Sequence, residues 1–261
     1  LFSCIRDGLE VSTSILNNEE TQMEKQRLAF FDLECTNLNA DWGLIICGTI
    51  KFSDRKKPLT FRITDYERGN IVDDSGVCAA LRDVLNEAPI WVTWYGQRFD
   101  VPYLQSRLLY WGQEPMSTST KHLDLWRTAR YQLRLSSNRL ANIERFLQLE
   151  GSKTPINPGA WLKALDNDKK AMKNVTYHCE QDVLMLEEAY YKMLPFIKDH
   201  PHIGLFDTAL SDGCPKCGSH NLHRRGSVIT KMKRYQRWQC QDCGSWHRSR
   251  TADKREPLEL T

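Results

Sequence analysis

Acidic residues occur at three places in the chain where a strand or a helix would hold them in position. The segment Phe31–Glu34 (FDLE) has acids at alternate residues of an apolar run, so in a strand both carboxylates project to one side. Asp100 follows a later apolar run, and His178 and Asp182 are four residues apart on one helical face. Because neighbouring carboxylates repel each other unless a cation lies between them, these acids favour a divalent metal site.

Each of these motifs has a simpler explanation when it is taken alone. Acidic pairs are common in solvated turns. Asp100 is a suitable N-cap for a helix with Pro102 in its first turn. His178 and Asp182 would form an ordinary surface pair. The occurrence of all three motifs in one chain, in this order, is what favours a shared site.

The three motifs resemble those of the DEDD, or DnaQ-like, 3′–5′ exonucleases of the RNase H-like superfamily. The similarity covers about Leu28–Leu194 and is strongest for the proofreading domains of family B DNA polymerases and their stand-alone relatives. Tyr95–Leu104 (YGQRFDVPYL) resembles their segment NGxxFDxPYL, and His178–Val183 (HCEQDV) resembles their third motif, HNxxDV. Tyr95 replaces the Asn of that segment, so a polar contact to the substrate strand is lost or replaced.

This resemblance implies a nuclease site with two Mg²⁺ or Mn²⁺ ions about 4 Å apart. The metal ligands would be four carboxylates: Asp32, Glu34, Asp100 and Asp182. Hard oxygen ligands favour these two ions over softer metals. His178 would accept the proton of the attacking water. Tyr177 is the alternative, but a separation of four residues returns to the same helical face and one of five does not, which favours His178.

Two aromatic residues and two further acids are open to more than one interpretation. Phe99 and Tyr103 are about one helical turn apart and flank Asp100. They would either stack on the terminal bases of a substrate or pack their helix against the core. Asp124 and Asp166 have no counterpart in the three motifs, so both are assigned to the surface or to the fold.

Four cysteines near the C-terminus form two CxxCG motifs. Cys214 and Cys217 are separated from Cys240 and Cys243 by 22 residues, a spacing typical of a zinc ribbon built on a β-hairpin. The segment resembles the zinc ribbons of transposases and other nucleic-acid proteins. Four thiolates complete the tetrahedron, so one structural Zn²⁺ is expected. Disulfides are the alternative, and nothing in the sequence indicates secretion.

The segment that contains these cysteines is strongly basic. From Cys214 to Arg250 nine Lys and Arg residues face a single acid, Asp242, so this segment carries about +8 in a chain of net charge +3. A basic appendage on an acidic body favours a polyanionic partner. The expected nucleic-acid contacts on the ribbon are Arg224, Arg225, Lys231, Lys233, Arg234, Tyr235, Arg237 and Trp238. The alternative is a ribbon that docks a protein partner.

The apolar runs predict an α/β fold, in which an RNase H-like mixed sheet is flanked by helices and followed by a small zinc ribbon. Three strands form an antiparallel meander, helices and strands then alternate, and a helix is predicted over Tyr177–Leu194. The predicted division of the chain is an unassigned segment 1–24, an exonuclease domain 25–198, a linker 199–213, a zinc ribbon 214–250 and a tail 251–261.

The sequence therefore predicts a two-metal-ion 3′–5′ exonuclease, with DNA expected over RNA as the substrate. An endonuclease of the same fold, acting on branched or single-stranded substrates, is the first alternative, and a non-catalytic nucleic-acid-binding protein is the second. No apolar run approaches the roughly 20 residues of a membrane helix, and no signal peptide is apparent. An intracellular protein is expected, cytoplasmic or nucleoid-associated and not secreted.

Overall fold

A five-stranded mixed sheet forms the centre of the larger domain. The computed structural model describes residues 28–150 and 159–253, so the predicted N-terminal segment 1–24 and residues 254–261 of the predicted tail lie outside it. The strands are β1 (Leu28–Cys35), β2 (Ile45–Phe52), β3 (Leu59–Arg62), β4 (Ile90–Thr93) and β5 (Lys121–Asp124). Their order is β3-β2-β1-β4-β5, with β1–β3 antiparallel and β4 and β5 parallel to β1. This confirms the predicted meander and mixed sheet.

In the part of the chain that the structure describes, six helices surround the sheet: α1 (Ser75–Asn86), α2 (Asp100–Tyr110), α3 (Leu125–Gln132), α4 (Leu140–Leu147), α5 (Gly159–Leu165) and α6 (Lys169–Met193). The sequence analysis did not predict α3 and α5. It also placed the start of α6 at Tyr177, whereas the helix begins at Lys169 because the Asp168 carboxylate accepts hydrogen bonds from the first-turn amides. Within the described residues, no helix is both long enough and apolar enough to span a membrane.

The central strand β1 is buried on both faces. Phe31 and Leu33 point into an apolar cluster with α1 and α2, whereas Leu28 and Phe30 point into a second cluster with α3 and α4. Helix α6 contributes residues to both clusters. A strand enclosed in this way has little freedom to shift its register, so the acids that it carries are held in place.

A buried ion pair fixes the loop that follows β1. The Arg107 guanidinium donates to both carboxylate oxygens of Asp74, at 2.8–3.2 Å, and to the carbonyl oxygen of Ala40 at 3.1 Å. Asp74 also accepts from the indole of Trp111 at 2.6 Å and from the amide of Ile45 at 2.9 Å. Arg107 therefore connects α2, the start of α1 and the loop next to Asp32 and Glu34.

The cysteine-rich segment folds into a three-stranded antiparallel sheet of β6 (Leu222–Ile229), β7 (Arg234–Cys240) and β8 (Trp246–Arg248). The predicted linker contains two short 3₁₀ turns, Ile203–Leu205 and Thr208–Leu210. Lys216 donates from Nζ to the carbonyl oxygens of Leu194 (2.9 Å) and Pro195 (3.1 Å), just beyond the end of α6. Cys217 and Cys243 also pack against the second apolar cluster. The ribbon is thus docked on the larger domain.

Candidate active site

Strand β1 supplies the first two carboxylates. Asp32 and Glu34 lie on the same side of the strand, while Phe31 and Leu33 pack into the core on the other, as the alternation predicts. The strand pairing shifts register between Glu34 and its successor, so these acids lie where the regular ladder ends. The Trp161 indole of α5 donates to Glu34 Oε2 at 2.8 Å. This positioning contact joins residues far apart in the chain, and sequence reasoning missed it.

Asp100 lies at the first position of α2 and is 3% exposed. Its Oδ1 accepts a hydrogen bond from the amide of Leu33, the residue between Asp32 and Glu34, at 3.2 Å. The Asp100 carboxylate therefore lies directly beside β1. Burial raises the pKa of Asp100 to about 7, and nearby Asp124 adds to the rise while hydrogen bonds from backbone amides oppose it. A carboxylate buried to this degree is one that a bound cation would stabilise in its charged form.

Helix α6 brings His178 and Asp182 to the same place. His178 Nε2 is 3.8 Å from Glu34 Oε1 and 3.7 Å from Asp182 Oδ2, and none of the three side chains is more than 11% exposed. Tyr177 is 52% exposed and lines a separate cavity with Arg62. The geometry therefore puts the imidazole, rather than the phenol, among the carboxylates, in agreement with the argument from helical periodicity.

An open cleft of about 910 Å³ adjoins the carboxylates. Asp32 and Asp182 line one part of it, and Trp94, Tyr95 and Trp126 line another. The Tyr95 and Trp126 rings meet edge to face with their centroids 5.0 Å apart. The cleft thus combines an acidic end with an aromatic wall.

Asp124 builds this aromatic wall, although the sequence analysis left it as a surface or fold residue. Its carboxylate accepts hydrogen bonds from the amides of Tyr95 (2.8 Å), Gln97 (3.1 Å) and Trp126 (3.1 Å). These bonds hold Tyr95 at φ 72°, a backbone conformation that is uncommon for bulky residues and more favourable for Asn. The Asn of the resembled motif suits this turn, so Tyr95 occupies it at a conformational cost that Asp124 offsets.

The two aromatic residues beside Asp100 differ in exposure. Tyr103 is 3% exposed and packs in the core, which favours the packing alternative for this residue. Phe99 is half-buried, its ring centroid is 5.4 Å from that of Tyr103, and it lines a surface cavity of about 520 Å³ with Arg98 and Tyr110. A spacing of four residues on a helix identifies a shared face but not which of the two side chains reaches solvent.

The donor set of this cleft fits hard divalent cations. It consists of carboxylate oxygens, the ligands preferred by Mg²⁺ and Mn²⁺, and an imidazole lies beside them. Within residues 28–150 and 159–253, the one group of three or more His, Cys, Asp or Glu residues whose ligand atoms all lie within 4.8 Å of one another is that of the four cysteines. Glu34 and Asp182 each lie close to His178 but do not form so compact a group.

The four cysteines form a compact second donor set. The sulfurs of Cys214 and Cys243, and those of Cys217 and Cys240, are each 3.6 Å apart, and all four lie within 4.8 Å of one another. Zn–S bonds of about 2.3 Å in a tetrahedron place the sulfurs about 3.8 Å apart, so the set fits Zn²⁺. Distances of 3.6 Å are far longer than a disulfide bond. His247 Nε2 lies 3.2 Å from the Cys214 sulfur and supports it from the adjacent strand.

The predicted nucleic-acid contacts of the ribbon divide by exposure. The exposed residues are Arg224, Arg225, Lys231, Lys233 and Arg237, and the half-buried ones are Arg234, Tyr235 and Trp238. Tyr235 and Arg237 project from one face of β7, whereas Trp238 projects from the other and lines a cavity with His247. The contacts predicted as one set therefore lie on two different faces.

Comparison with known proteins agrees with this architecture. Residues 29–194 match the family model of the RNase_H superfamily. The structure of the family B DNA polymerase from the hyperthermophilic archaeon Pyrobaculum calidifontis is similar to this chain, with a TM-score of 0.52 and 16% identity, over 80% of this chain and 31% of the polymerase. No curated protein matches the chain significantly. Since the family model covers more than half of the sequence, this chain belongs to the RNase_H superfamily. The fold of this superfamily is broadly that of metal-dependent nucleic-acid hydrolases.

Proposed function

We propose that the protein is a two-metal-ion 3′–5′ exonuclease that hydrolyses phosphodiester bonds, with DNA as the expected substrate. The observation that carries this proposal is the meeting of β1, α2 and α6, elements remote in sequence, around one imidazole and four acids. The supporting geometry is a cleft in which two of those acids adjoin an aromatic wall.

Asp32, Glu34, Asp100 and Asp182 would hold the cations. Asp32 is half-buried and the other three are buried, which limits the movement of their oxygens before a metal binds. Divalent cations bound there would supply an activated water and stabilise the oxygen that leaves phosphorus. His178 Nε2 faces Glu34 and Asp182 at 3.7–3.8 Å, and we assign it the role of accepting the proton of the attacking water. Trp161 keeps Glu34 in its rotamer through the indole hydrogen bond.

The aromatic wall of the cleft favours unpaired nucleotides as the bound form. Tyr95 and Trp126 present ring surfaces next to the acids, and stacking of a base on such rings tolerates any sequence. A cleft of about 910 Å³ is in the size range of small-ligand pockets, which suits a few nucleotides rather than a duplex. A frayed or single-stranded 3′ end is therefore the proposed substrate form.

The ribbon is assigned a supporting role in this proposal. One Zn²⁺ held by the four cysteines would be structural, because four thiolates leave no open coordination position. Its basic residues would add affinity for nucleic acid through phosphate contacts.

Digestion of end-labelled substrates tests the proposed function. Single-stranded and duplex DNA and RNA, each labelled at the 5′ end, would be incubated with the purified protein in Mg²⁺ or Mn²⁺. We expect a ladder that shortens from the 3′ end, strongest on single-stranded DNA. Internal fragments without a ladder would indicate the endonuclease alternative, and binding without cleavage under any of these conditions would indicate the non-catalytic one.

A further inference from the structure

The face of the ribbon sheet that points away from the cysteine site carries alternating aromatic and arginine side chains. Arg237 of β7 is directly opposite Arg248 of β8, and Gln239 is directly opposite Trp246, so these four side chains share a face. Tyr235 lies on the same side of β7. We use the term outer ribbon face for the surface of Tyr235, Arg237, Trp246 and Arg248.

Each arginine of the outer ribbon face lies over an aromatic ring of the neighbouring strand. The Arg248 guanidinium carbon is 4.2 Å from the ring centroid of Tyr235, and that of Arg237 is 4.8 Å from the ring of Trp246. Arg237 Nε also donates to the carbonyl oxygen of Arg225 at 2.9 Å. These contacts position both guanidinium groups over the sheet, and they leave Trp246 51% exposed.

The direct pairing of Arg237 and Arg248 places like charges opposite each other, which destabilises a sheet. The sequences of β6, β7 and β8 contain no Asp or Glu. Asp242, the single acid of the basic segment, already accepts hydrogen bonds from Ser219 and Asn221. The two guanidinium groups lie over rings on opposite sides of their own pair, so each one is a separate contact for a phosphate.

We propose that the outer ribbon face binds the backbone and bases of single-stranded nucleic acid, with Arg237 and Arg248 on phosphates and Trp246 stacked on a base. This inference rests on the proposed nuclease function, because it assigns the ribbon a segment of the same substrate strand. Guanidinium groups beside an exposed indole suit a single strand, because its phosphates and its unstacked bases are both accessible. A duplex offers phosphates but no free base faces.

The opposite face of the ribbon sheet points toward the cysteine site. Cys240 and Trp238 lie on that side of β7, and His247, which pairs with Trp238, contacts the Cys214 sulfur. Lys56 and Lys57 lie in the loop between β2 and β3 of the larger domain and are exposed. Substitution of these two lysines therefore removes the same charge as substitution of the two arginines, without altering the ribbon.

Binding of the full chain to a short fluorescein-labelled oligodeoxythymidine, without added Mg²⁺ or chelator, tests the inference. Fluorescence anisotropy would be measured at several salt concentrations for wild type, Arg237→Gln/Arg248→Gln, Trp246→Ala and the control Lys56→Gln/Lys57→Gln. The double arginine variant should weaken binding at least about tenfold and reduce the salt slope by about 1.4, or 0.7 for each lost phosphate contact. Trp246→Ala should weaken binding by on the order of tenfold with an unchanged slope.

The lysine control should change the affinity by less than about threefold, because screened charges outside the contact act weakly. Equal losses in the arginine and lysine variants would overturn the inference, as would tighter binding of the matching duplex than of the single strand. Zinc content equal to wild type shows that each variant keeps its ribbon. Because no cleavage is measured, a protein that binds as described but does not digest DNA refutes only the exonuclease proposal.

Discussion

The carboxylate cleft and the zinc ribbon are two donor sites built in different ways. The acids of the cleft extend from Asp32 to Asp182, on elements that meet only when the whole domain folds. The sulfurs of the ribbon lie between Cys214 and Cys243, on two turns of one small sheet. The first site has hard oxygen ligands at the edge of an open cleft. The second has soft sulfur ligands that form a compact group of four.

This difference fits the two tasks that we propose for the chain. A reacting phosphate needs ligands with an open position and a rigid core behind them. A binding surface needs only a stable local sheet that presents charge and aromatic rings. We therefore expect substitutions in the cleft to lower the rate of cleavage, and those in the ribbon to lower affinity.

The largest expected effect comes from Asp100→Ala. The substitution removes a buried carboxylate of the proposed metal site, and cleavage should fall by several powers of ten, as for other deletions of central catalytic groups. Initial rates of oligonucleotide digestion with Mn²⁺ would measure the fall.

Asp166→Ala is the matched control, because Asp166 is an exposed acid in the turn after α5. Asp100→Asn keeps an acceptor for the Leu33 amide and separates loss of charge from loss of the hydrogen bond. Near-normal rates for Asp100→Ala, in a preparation free of contaminating nuclease, would refute the metal-site assignment.

The next largest effect should be that of His178→Ala. General-base assistance is typically worth about 10²–10⁴-fold, and His178 Nε2 faces Glu34 and Asp182. Tyr177→Phe removes only the hydroxyl of a half-exposed side chain and should leave the rate nearly unchanged. Single-turnover rates for both variants decide the matter, and a greater loss from Tyr177→Phe would mean that the third motif is misaligned by one residue.

Cys240→Ser should remove zinc from the ribbon. The binding free energy of a structural zinc is about 10–16 kcal/mol in zinc-finger peptides, so loss of one thiolate is expected to unfold this small sheet. Metal analysis should fall from one Zn per chain to none. Cys78→Ser, at a buried cysteine of α1, is the control that should retain zinc. Full zinc occupancy in Cys240→Ser would contradict the four-thiolate site.

The smallest expected effect is that of Trp161→Phe. The substitution keeps an aromatic ring but loses the indole hydrogen bond to Glu34, and such supporting contacts typically change metal affinity by about 10–100-fold. The Mn²⁺ concentration for half-maximal cleavage should rise about tenfold, while the rate at saturating Mn²⁺ stays close to wild type. An unchanged Mn²⁺ concentration for half-maximal cleavage would mean that Trp161 contributes packing alone.

The acids and cysteines were accessible from the sequence because their chemistry depends on local spacing. Asp32 with Glu34, and His178 with Asp182, are each defined by the period of one strand or helix, and the two CxxCG motifs are equally local. The runs of apolar residues are also local, and they predicted the five strands and the mixed sheet.

The supporting residues were not accessible, since they act across long sequence separations. The contact between Trp161 and Glu34, and the three amides held by Asp124, exist only in the folded domain. Tyr103 was open to two interpretations because the helical period does not say which side of a helix meets the core. The docking of the ribbon through Lys216 was missed for the same reason.

This docking also bears on how the two regions should be separated by experiment. Tyr190, Leu194 and Ile197 pack together in the cluster that contacts Cys217 and Cys243. A chain cut near the end of α6 would expose that apolar surface, so its loss of activity would be hard to assign. Point substitutions that leave the interface intact are the cleaner choice.

Single-turnover cleavage measured against enzyme concentration tests the division of tasks most directly. Wild type, Asp100→Ala and Arg237→Gln/Arg248→Gln would each be titrated against a trace of labelled single-stranded DNA in Mn²⁺. The cleft variant should lose its maximal rate by several powers of ten. The ribbon variant should keep a maximal rate within about threefold of wild type and need at least about tenfold more enzyme to reach half of it. A ribbon variant whose maximal rate falls while its half-saturating concentration stays constant would contradict the account.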